Sequence, residues 1–353
     1  MYNNSGNENK VNGMKYISKG ALHLHTTYSD GTGTIPQIAA DAKKAGLDWI
    51  IITDHNSLEG LHKNQEGWYD SVAVIIGEEI TPDPGDHYLA IGIKKEIPGS
   101  LSPQESIDAV KEQGGVGFIA HPDESLTRKN DYRPLRWSDW SVKHFDGIEI
   151  WNYTSDWVDN YNKKLNLYNL LVKNRILKGP TPGVLKWWDE VNNENSHIVS
   201  AVGGLDTHAF CVGILTIFPY YDTFMTVTNY LMHREKLSSD FSTAKKQIFN
   251  ALKRGNNIIV NRVWNNSQDV YEFSIITKAG EIFPGEKIKT DESSKLVVKL
   301  PKKARIRLIK NGDIVIEKET GKLELDNLTP GKYRFEAYLK NRPWIFSNPV
   351  ICE

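Results

Sequence analysis

The amino-acid sequence predicts an α/β domain followed by a smaller all-β domain. From Ala21 onward, short apolar runs alternate with segments of helical periodicity, a pattern typical of a parallel sheet, either open or closed into a barrel. Beyond Trp264, strand-like runs follow one another with no helical segment between them. A chain of 353 residues is long enough for two such domains.

The α/β part begins with a repeated strand–helix unit. Thr34 is a plausible N-cap for a helix that ends at Gly46, and Ser102 opens a second helix with a capping box and Pro at the first helical position. Buried strands are predicted at Leu22–Thr26, Trp49–Thr53, Val72–Ile76, Val116–Ala120, Asp146–Trp151 and Ile198–Val202.

The remaining segments set the domain limits. Residues 1–19, rich in Asn and Gly, are predicted to be a disordered lead-in, 20–264 the α/β domain with a helical insertion at about 155–195, and 265–353 a β-sandwich. Asn311–Gly312 predicts a type I′ hairpin turn. The predicted sandwich strands are Tyr271–Thr277, Lys295–Leu300, Arg305–Lys310, Asp313–Glu319, Lys332–Leu339 and Trp344–Ile351.

Composition narrows the functional classes. Lys+Arg 43 against Asp+Glu 44 gives a net charge of -1, which disfavours long nucleic acid as a partner and leaves a small-molecule substrate as the expectation. No apolar run reaches the length of a membrane span, and the N-terminal segment lacks an apolar signal core, so a cytoplasmic location is expected. A secreted protein whose signal peptide had been removed would look the same, and a homo-oligomer is left open.

Six of the ten histidines and three carboxylates fall at or just beyond the ends of predicted strands. Each alone has an ordinary explanation as a core or turn residue, but in α/β sheets the carboxyl edge is where active sites assemble. With only two cysteines and no C-x-x-C, nitrogen and oxygen ligands suit Zn, Mn or Fe(II). One ion takes about four to six ligands, so nine groups predict at least two ions, with room for a third. The nine are His23, His25, Asp30, His55, Glu79, His87, His121, Asp206 and His208.

The order of these motifs resembles the polymerase and histidinol phosphatase (PHP) superfamily over roughly residues 20–264. The resemblance implies a distorted (β/α)7 TIM-like barrel, two or three divalent metal ions (Mn, Zn or Fe), and hydrolysis of phosphoesters. It also implies that the nine residues are the metal ligands. Glu79 is preferred over Glu78 because Gly77–Thr81 fits the family's G-x-E-I-S/T pattern. The motifs are His23-x-His25, Ser29-Asp30-Gly31, Thr53-Asp54-His55, Glu79, His87, Ala120-His121-Pro122 and Asp206-x-His208.

The same resemblance implies roles within the set. Two closely spaced ions would activate a water, with Glu79 bridging them and Glu79, Asp206 and His208 as catalytic residues. The implied pair is held by His23, His25, Glu79, His121 and Asp206; Asp30, His55, His87 and His208 complete the coordination, the last two near a third ion. Asp54 and Asp86 are candidates for orienting His55 and His87, or else plain turn acids.

Four further residues are candidates for substrate binding. Arg128 and Arg133 follow the His121 strand on a loop that would overhang the site, where a guanidinium suits a phosphate; a solvated loop is the alternative. Trp151 and Asn152 end another strand at the same edge, so they are placed to line the pocket.

A narrower resemblance concerns the substrate. Trp188–Asp189, Ala251–Gly255 and Arg342–Pro349 are similar to a branch that includes carbaryl-hydrolase-type enzymes, which carries a C-terminal β-domain and implies carbamate-ester hydrolysis. The broader resemblance to the PHP superfamily favours a phosphoesterase acting on a small phosphorylated substrate. The alternatives are hydrolysis of a carbamate, carboxyl ester or amide, and a metal-stabilised binding protein. A nuclease is disfavoured by the charge balance.

Overall fold

The computed structural model describes residues 15–83, 85–124, 136–160, 176–213, 215–264, 271–278 and 280–353. Its first part is a mixed α/β structure. The strands are β1 (Tyr16–Ala21), β2 (Trp49–His55), β3 (Gly67–Tyr69), β4 (Val72–Ile80), β5 (Tyr88–Ile91), β6 (Val116–Ile119), β7 (Gly147–Asn152), β8 (Ser200–Gly204), β9 (Cys211–Val212), β10 (Leu215–Thr216), β11 (Val227–His233) and β12 (Asn257–Asn261). The helices are α1 (Ile35–Lys44), α2 (Glu59–His62), α3 (Pro103–Glu112), α4 (Tyr153–Asp159), α5 (Pro182–Glu194), α6 (Tyr220–Phe224) and α7 (Phe241–Arg254), and a 3₁₀ turn spans Arg262–Trp264.

The second part is built from strands. They are β13 (Glu272–Thr277), β14 (Gly280–Ile282), β15 (Lys287–Ile288), β16 (Lys295–Lys310), β17 (Asp313–Leu325), β18 (Gly331–Leu339), β19 (Arg342–Ser347) and β20 (Val350–Cys352). Long antiparallel ladders join β16 to both β17 and β18. Within the described ranges, every helix is too short or too polar to serve as a membrane span.

Seven strands of the α/β part follow one another around the site. The pairs β1–β2, β2–β4, β6–β7 and β7–β8 are parallel, whereas β4–β5 and β5–β6 are antiparallel. In the described chain, β8 and β1 are not joined by a ladder; an isolated bridge between Leu24 and Thr207 connects the segments that follow them. The α/β class is therefore confirmed, but the closed TIM-like barrel is not, because the sheet stays open between β8 and β1.

The antiparallel strand pair β11–β12 joins the two parts of the chain. β11 pairs with β1 and with β12, and β12 pairs in turn with β19. One face of this strand pair packs into the core formed with the C-terminal strands, and this face carries Tyr230, Met232, Ile258 and Val260. A strand before residue 264 is therefore hydrogen-bonded to a strand after it. The domain boundary at this residue stays a prediction.

Most local signals act as predicted. Ser102 accepts a hydrogen bond from the Glu105 amide at the start of α3, and the Ser102 amide donates to the Glu105 carboxylate at 2.8 Å. Gly46 follows α1 with a φ of 73°. Asn311 and Gly312 have φ values of 53° and 94° in the turn between β16 and β17, as a type I′ turn requires.

Several predicted boundaries differ from the structure. The predicted strand Leu22–Thr26 is wrong, since β1 ends at Ala21 and begins at Tyr16, inside the predicted lead-in. Lys295–Leu300 and Arg305–Lys310 form the single strand β16, which has a register shift against β17 between Lys299 and Ala304. The helical insertion contributes α4 and α5, and the rest of it, residues 161–175, lies outside the described residues.

Arg334 connects α5 to the C-terminal sheet. Its Nε and Nη2 donate to the two oxygens of Asp189 at 2.7 and 2.6 Å, and its Nη1 donates to Glu336 at 2.7 Å. The side chain is buried and lies over the ring of Trp188. A buried guanidinium depends on these carboxylates because burial removes its solvation.

We expect Asp189→Asn to lower the free energy of unfolding by about 3 kcal/mol, because it leaves a buried guanidinium short of one charged partner. Urea denaturation of the two proteins measures the difference. The control is Glu190→Gln on the same helix, which breaks an exposed pair with Lys186 and should change stability by less than about 0.5 kcal/mol. Equal effects of the two substitutions would contradict the assignment.

Candidate metal centre

The nine predicted ligands meet at one edge of the open sheet, and we call them the ligand cluster. His23 and His25 follow β1, and His55 is the last residue of β2. His121 follows β6, while Asp206 and His208 follow β8. Because β5 runs antiparallel to β4, the start of β5 lies at this same edge, which brings in His87 beside Glu79. The cluster consists of His23, His25, Asp30, His55, Glu79, His87, His121, Asp206 and His208.

The backbone is unusual at three of these positions. His23, His121 and Asp206 have φ values of 66°, 26° and 52°. Such left-handed geometry costs roughly 1–3 kcal/mol for a non-glycine residue and is found mainly at functional sites. It also explains why His23 and His25 reach the same centre although they do not lie in a regular strand.

Glu79 is at the centre of the cluster. Its Oε2 lies 3.3 Å from Nε2 of both His23 and His25, and 2.9 Å from Nδ1 of His55. Its Oε1 lies 2.9 Å from His87 Nδ1 and 3.3 Å from His121 Nε2. The two oxygens of one buried carboxylate therefore face different sets of imidazoles.

Two other carboxylates face further imidazoles. Asp206 Oδ1 lies 3.4 Å from His23 Nε2 and 3.1 Å from His25 Nε2. Asp30 Oδ1 lies 3.1 Å from His208 Nε2 and 3.6 Å from His55 Nε2. Together with the Glu79 contacts, these distances define three groups with the spacing of metal ligands: His23, His25, Glu79 and Asp206; Glu79, His87 and His121; and His25, Asp30, His55 and His208.

The grouping differs in one respect from what the family resemblance implies. His87 belongs with Glu79 and His121, whereas His208 belongs with Asp30 and His55. The two histidines expected near a third ion therefore lie in separate groups.

The ligand atoms have the spacing and the lack of partners that a cation would satisfy. Nitrogen or oxygen atoms about 2.1 Å from one ion lie about 3.0–3.5 Å from each other. His23 Nε2, His25 Nε2, His87 Nε2 and Glu79 Oε2 are buried without a hydrogen-bond partner. Unpaired buried polar atoms are costly, so their concentration at one point fits a site for divalent ions.

Without an ion, protons balance the charge of the cluster. Burial alone would raise the pKa of Glu79, but His23, His55 and His87 outweigh it and hold that pKa well below its usual value. Burial opposes protonation of His121, yet Glu124 and Glu79 raise its pKa to about 10. In the metal-free protein the carboxylates are therefore charged and some imidazoles are protonated.

Glu149 is a site residue that the sequence did not single out. Its Oε1 accepts a hydrogen bond from His23 Nδ1 at 2.8 Å, and its Oε2 accepts from the His121 amide at 2.7 Å and from Asn152 Nδ2 at 3.0 Å. A Cβ on Gly204 would overlap Glu149 Oε1, which explains the glycine there. Glu149 fixes the ring of His23 so that Nε2 points at the ligand cluster. The available signal was a charged residue inside an otherwise apolar strand.

Glu124 is a second residue that the sequence did not identify. Its Oε2 lies 3.0 Å from His121 Nδ1, and the side chain is buried. It follows His121 by three residues in a turn, where an acid carries no distinctive sequence signal.

The acids next to the predicted ligands have other partners. Asp54 accepts hydrogen bonds from the amide and hydroxyl of Thr26, both at 2.7 Å, so it holds the loop after His25 rather than the ring of His55. Asp86 accepts hydrogen bonds from Ser138 and not from His87. Neither acid orients an imidazole in the described structure.

Glu78 lies outside the ligand cluster. Its carboxylate accepts from the Ile97 amide at 3.0 Å, and burial raises its pKa to about 7. The ring of His55 is held by Thr81 and not by the neighbouring Asp54, since the Thr81 hydroxyl lies 2.8 Å from His55 Nδ1.

A cavity of about 310 Å³ opens beside the ligand cluster. His121, Glu149, Trp151 and Asn152 line it, so both predicted pocket residues lie at its wall. The Trp151 indole donates to Asp156 at 2.9 Å, which fixes the ring in place. Arg128 and Arg133 lie outside the described residues.

Glu149→Gln is expected to weaken metal affinity by roughly 10–100-fold, because the amide is a poorer acceptor for the His23 N–H and carries no charge. Competition with a fluorescent chelator measures the affinity. Glu96→Gln is the control, since Glu96 accepts from the exposed His62 at 2.6 Å, away from the cluster. An unchanged affinity in Glu149→Gln would argue against the orienting role.

Metal binding is expected to release protons near neutral pH. The raised pKa values of His23 and His121 mean that protons occupy these rings before an ion binds, and an ion needs the free nitrogen. Apparent affinity should therefore increase as pH rises from 6 toward about 9. Calorimetry in two buffers of different ionisation enthalpy measures the released protons; a binding constant independent of pH would be the contrary result.

Comparison with known proteins agrees with this geometry for the first part of the chain. Residues 21–167 match the family model described as the PHP domain, a segment that holds seven of the nine cluster residues. An uncharacterised protein of Methanocaldococcus jannaschii is 29% identical over 186 residues, which cover 49% of this chain and 99% of that protein.

Two further similarities are more limited. The phosphoribosyl 1,2-cyclic phosphate 1,2-diphosphodiesterase of Eggerthella lenta is 30% identical over 83 residues, 22% of this chain and 32% of that protein. A two-domain Bacteroides vulgatus protein said to contain a PHP-like metal-dependent phosphoesterase has 13% identity and a TM-score of 0.47, with 95% of each chain covered. The segment match supports the similarity to the PHP superfamily, and the narrower carbaryl-hydrolase resemblance stays a prediction.

Proposed function

We propose that this protein is a metal-dependent hydrolase of the PHP superfamily, a phosphoesterase that acts on a small phosphorylated substrate. The observation that carries the proposal is Glu79, a buried carboxylate whose two oxygens face separate sets of imidazoles. The family match over residues 21–167 supports the same reading. Two or three divalent ions, Mn, Zn or Fe, would be held by the ligand cluster.

The ions, when bound, supply Lewis-acid polarisation of a phosphoryl oxygen and lower the pKa of the attacking water. The residues of the chain position them. Glu79 is the proposed bridge, and Asp206 faces His23 and His25 from the other side. Glu149 holds His23, and the Asp206 carbonyl accepts from His208 Nδ1 at 3.0 Å, which leaves His208 Nε2 directed at Asp30.

Glu79, Asp206 and His208 are the proposed catalytic residues. The side chains of Asp206 and His208 are 14% and 9% exposed, less than those of Asp30 and His55 at 51% and 27%. The ring of His208 stacks on that of Phe210 with centroids 4.7 Å apart, and Phe210 is exposed. Phe210 thus offers an apolar contact at the rim for the organic part of a substrate.

The size of the neighbouring cavity favours a small substrate. A volume of about 310 Å³ is at the lower end for ligand pockets, which are roughly 300–1,000 Å³. Trp151 and Asn152 at its wall are the proposed substrate contacts in the described chain. Arg128 and Arg133 remain proposed phosphate contacts on sequence grounds alone.

Hydrolysis of a carbonyl substrate is the second candidate, because the same ligand cluster would polarise a carbonyl oxygen as well. The C-terminal resemblance to the carbaryl-hydrolase branch is what favours it. Assays of the metal-loaded protein on a phosphomonoester, a phosphodiester, a carboxyl ester and an aryl carbamate separate the two. We expect turnover of a phosphoester with Mn or Zn; turnover of carbonyl substrates alone would exclude the first candidate.

Asp206→Asn should reduce phosphoester turnover by at least about 100-fold, because it removes a charged group that faces two imidazoles. The control is His62→Ala, a histidine outside the ligand cluster that should keep full activity. Steady-state kinetics and metal analysis of both variants make the measurement. A protein that retains no divalent ion, or an Asp206→Asn variant with full activity, would refute the proposed function.

A further inference from the structure

Glu124 lies at the side of the ligand cluster that borders the cavity. Its carboxylate is 3% exposed, and its Oε2 lies 3.0 Å from His121 Nδ1. His121 itself lines the cavity, as does the neighbouring Asp123. Ligand atoms of His121, Glu124 and Asp206 all lie within 4.8 Å of one another.

The contact between Glu124 and His121 does not have the geometry of a hydrogen bond. His121 Nδ1 is buried and has no hydrogen-bond partner, although the carboxylate oxygen is only 3.0 Å away. Two atoms at this distance that do not point at each other are placed as two ligands of a common ion, which are about 3.0–3.5 Å apart.

Glu149 and Glu124 differ in how many hydrogen bonds their carboxylates accept. Glu149 accepts three hydrogen bonds, from His23, the His121 amide and Asn152. In the described part of the chain, Glu124 accepts from one donor, the Ser155 hydroxyl at 3.1 Å. A carboxylate that only orients a ring has its oxygens occupied by donors, as Glu149 does; Glu124 is left with capacity for a cation.

The charge around Glu124 leads to the same conclusion. No Lys or Arg of the described residues forms an ion pair with it, while the Asp206 carboxylate is nearby. The two carboxylates, Glu124 buried and Asp206 with 14% of its side chain exposed, repel one another unless a positive charge lies near both. A divalent ion satisfies both acids and the unpartnered nitrogen of His121 at once.

We propose that Glu124 is a tenth metal-binding residue, and that His121, Glu124 and Asp206 form a divalent-cation position on the cavity side of the ligand cluster. The proposal rests on the metal-dependent function proposed above and adds to it. An ion there would be the one nearest to a substrate in the cavity, because His121 lines the cavity and also belongs to this cation position. Because one neutral imidazole binds one ion, His121 would serve this position through Nδ1 instead of serving the Glu79–His87 group through Nε2.

Glu124→Gln keeps the shape of the side chain and removes its charge. Titration of the metal-free protein with Mn²⁺ or Zn²⁺, followed by elemental analysis at fixed free metal, counts the ions and gives their affinities. We expect one ion to bind at least about 100-fold more weakly in Glu124→Gln, with the remaining ions unchanged, and the visible spectrum of the Co²⁺-substituted protein to change. Glu96→Gln, at an exposed Glu–His pair, is the matched control.

Each outcome bears on a different claim. A wild-type protein that binds no ion would overturn the proposed function itself. A wild-type protein that binds ions while Glu124→Gln binds the same number with equal affinity would overturn only the role of Glu124. An unchanged Co²⁺ spectrum with a small, uniform loss of affinity would show that Glu124 orients His121 instead. If Glu124→Gln does not fold, Glu124→Asp is used, with at least about 10-fold weaker binding of the same ion expected.

Discussion

The arrangement of this molecule depends on one buried carboxylate among imidazoles. Glu79 lies in β4, a strand buried along its whole length, where an isolated charge would be strongly unfavourable. Contacts with five histidines, or with ions held between them, make its burial tolerable. Those histidines come from four other segments of the chain, so the sheet must bring β1, β2, β5 and β6 to one edge around β4. The strained backbone at His23 and His121 is consistent with this requirement.

Two kinds of feature can be predicted from the sequence. The first is local, such as helix caps and turns, and the second is the set of histidines and carboxylates near strand ends. Capping residues such as Ser102, the Asn311–Gly312 turn and the apolar strands act through interactions a few residues apart, so their signals survive in the sequence. Part of the convergence of the ligand cluster was also predictable, because the carboxyl ends of parallel strands meet at one edge of a sheet. His55, His121 and His208 end or follow strands with parallel neighbours, whereas His87 reaches this edge at the start of the antiparallel β5.

Other features depend on contacts between distant segments and left little trace in the sequence. Glu149 reaches His23 because β7 lies next to β8, whose Gly204 leaves space for the carboxylate. The sequence left Asp54 as either a partner of His55 or a turn acid, and in the structure it accepts from Thr26. In the described chain, β8 and β1 share no ladder, and the single bridge between Leu24 and Thr207 lies beyond their ends, which periodicity does not predict. Sequence position alone does not say which acid accepts from which ring.

The strand pair β11–β12 limits where the chain can be cut into two separately folding parts. Tyr230, Met232, Ile258 and Val260 pack with the C-terminal strands, while Leu231 on the opposite face packs in the core of the α/β part. A cut near residue 264 would leave an apolar strip in water on the strand that pairs with β1, directly before His23. The C-terminal strands therefore cover the apolar face of the strands that support the site. A C-terminal part exchanged between related proteins has to keep its contacts with β11 and β12.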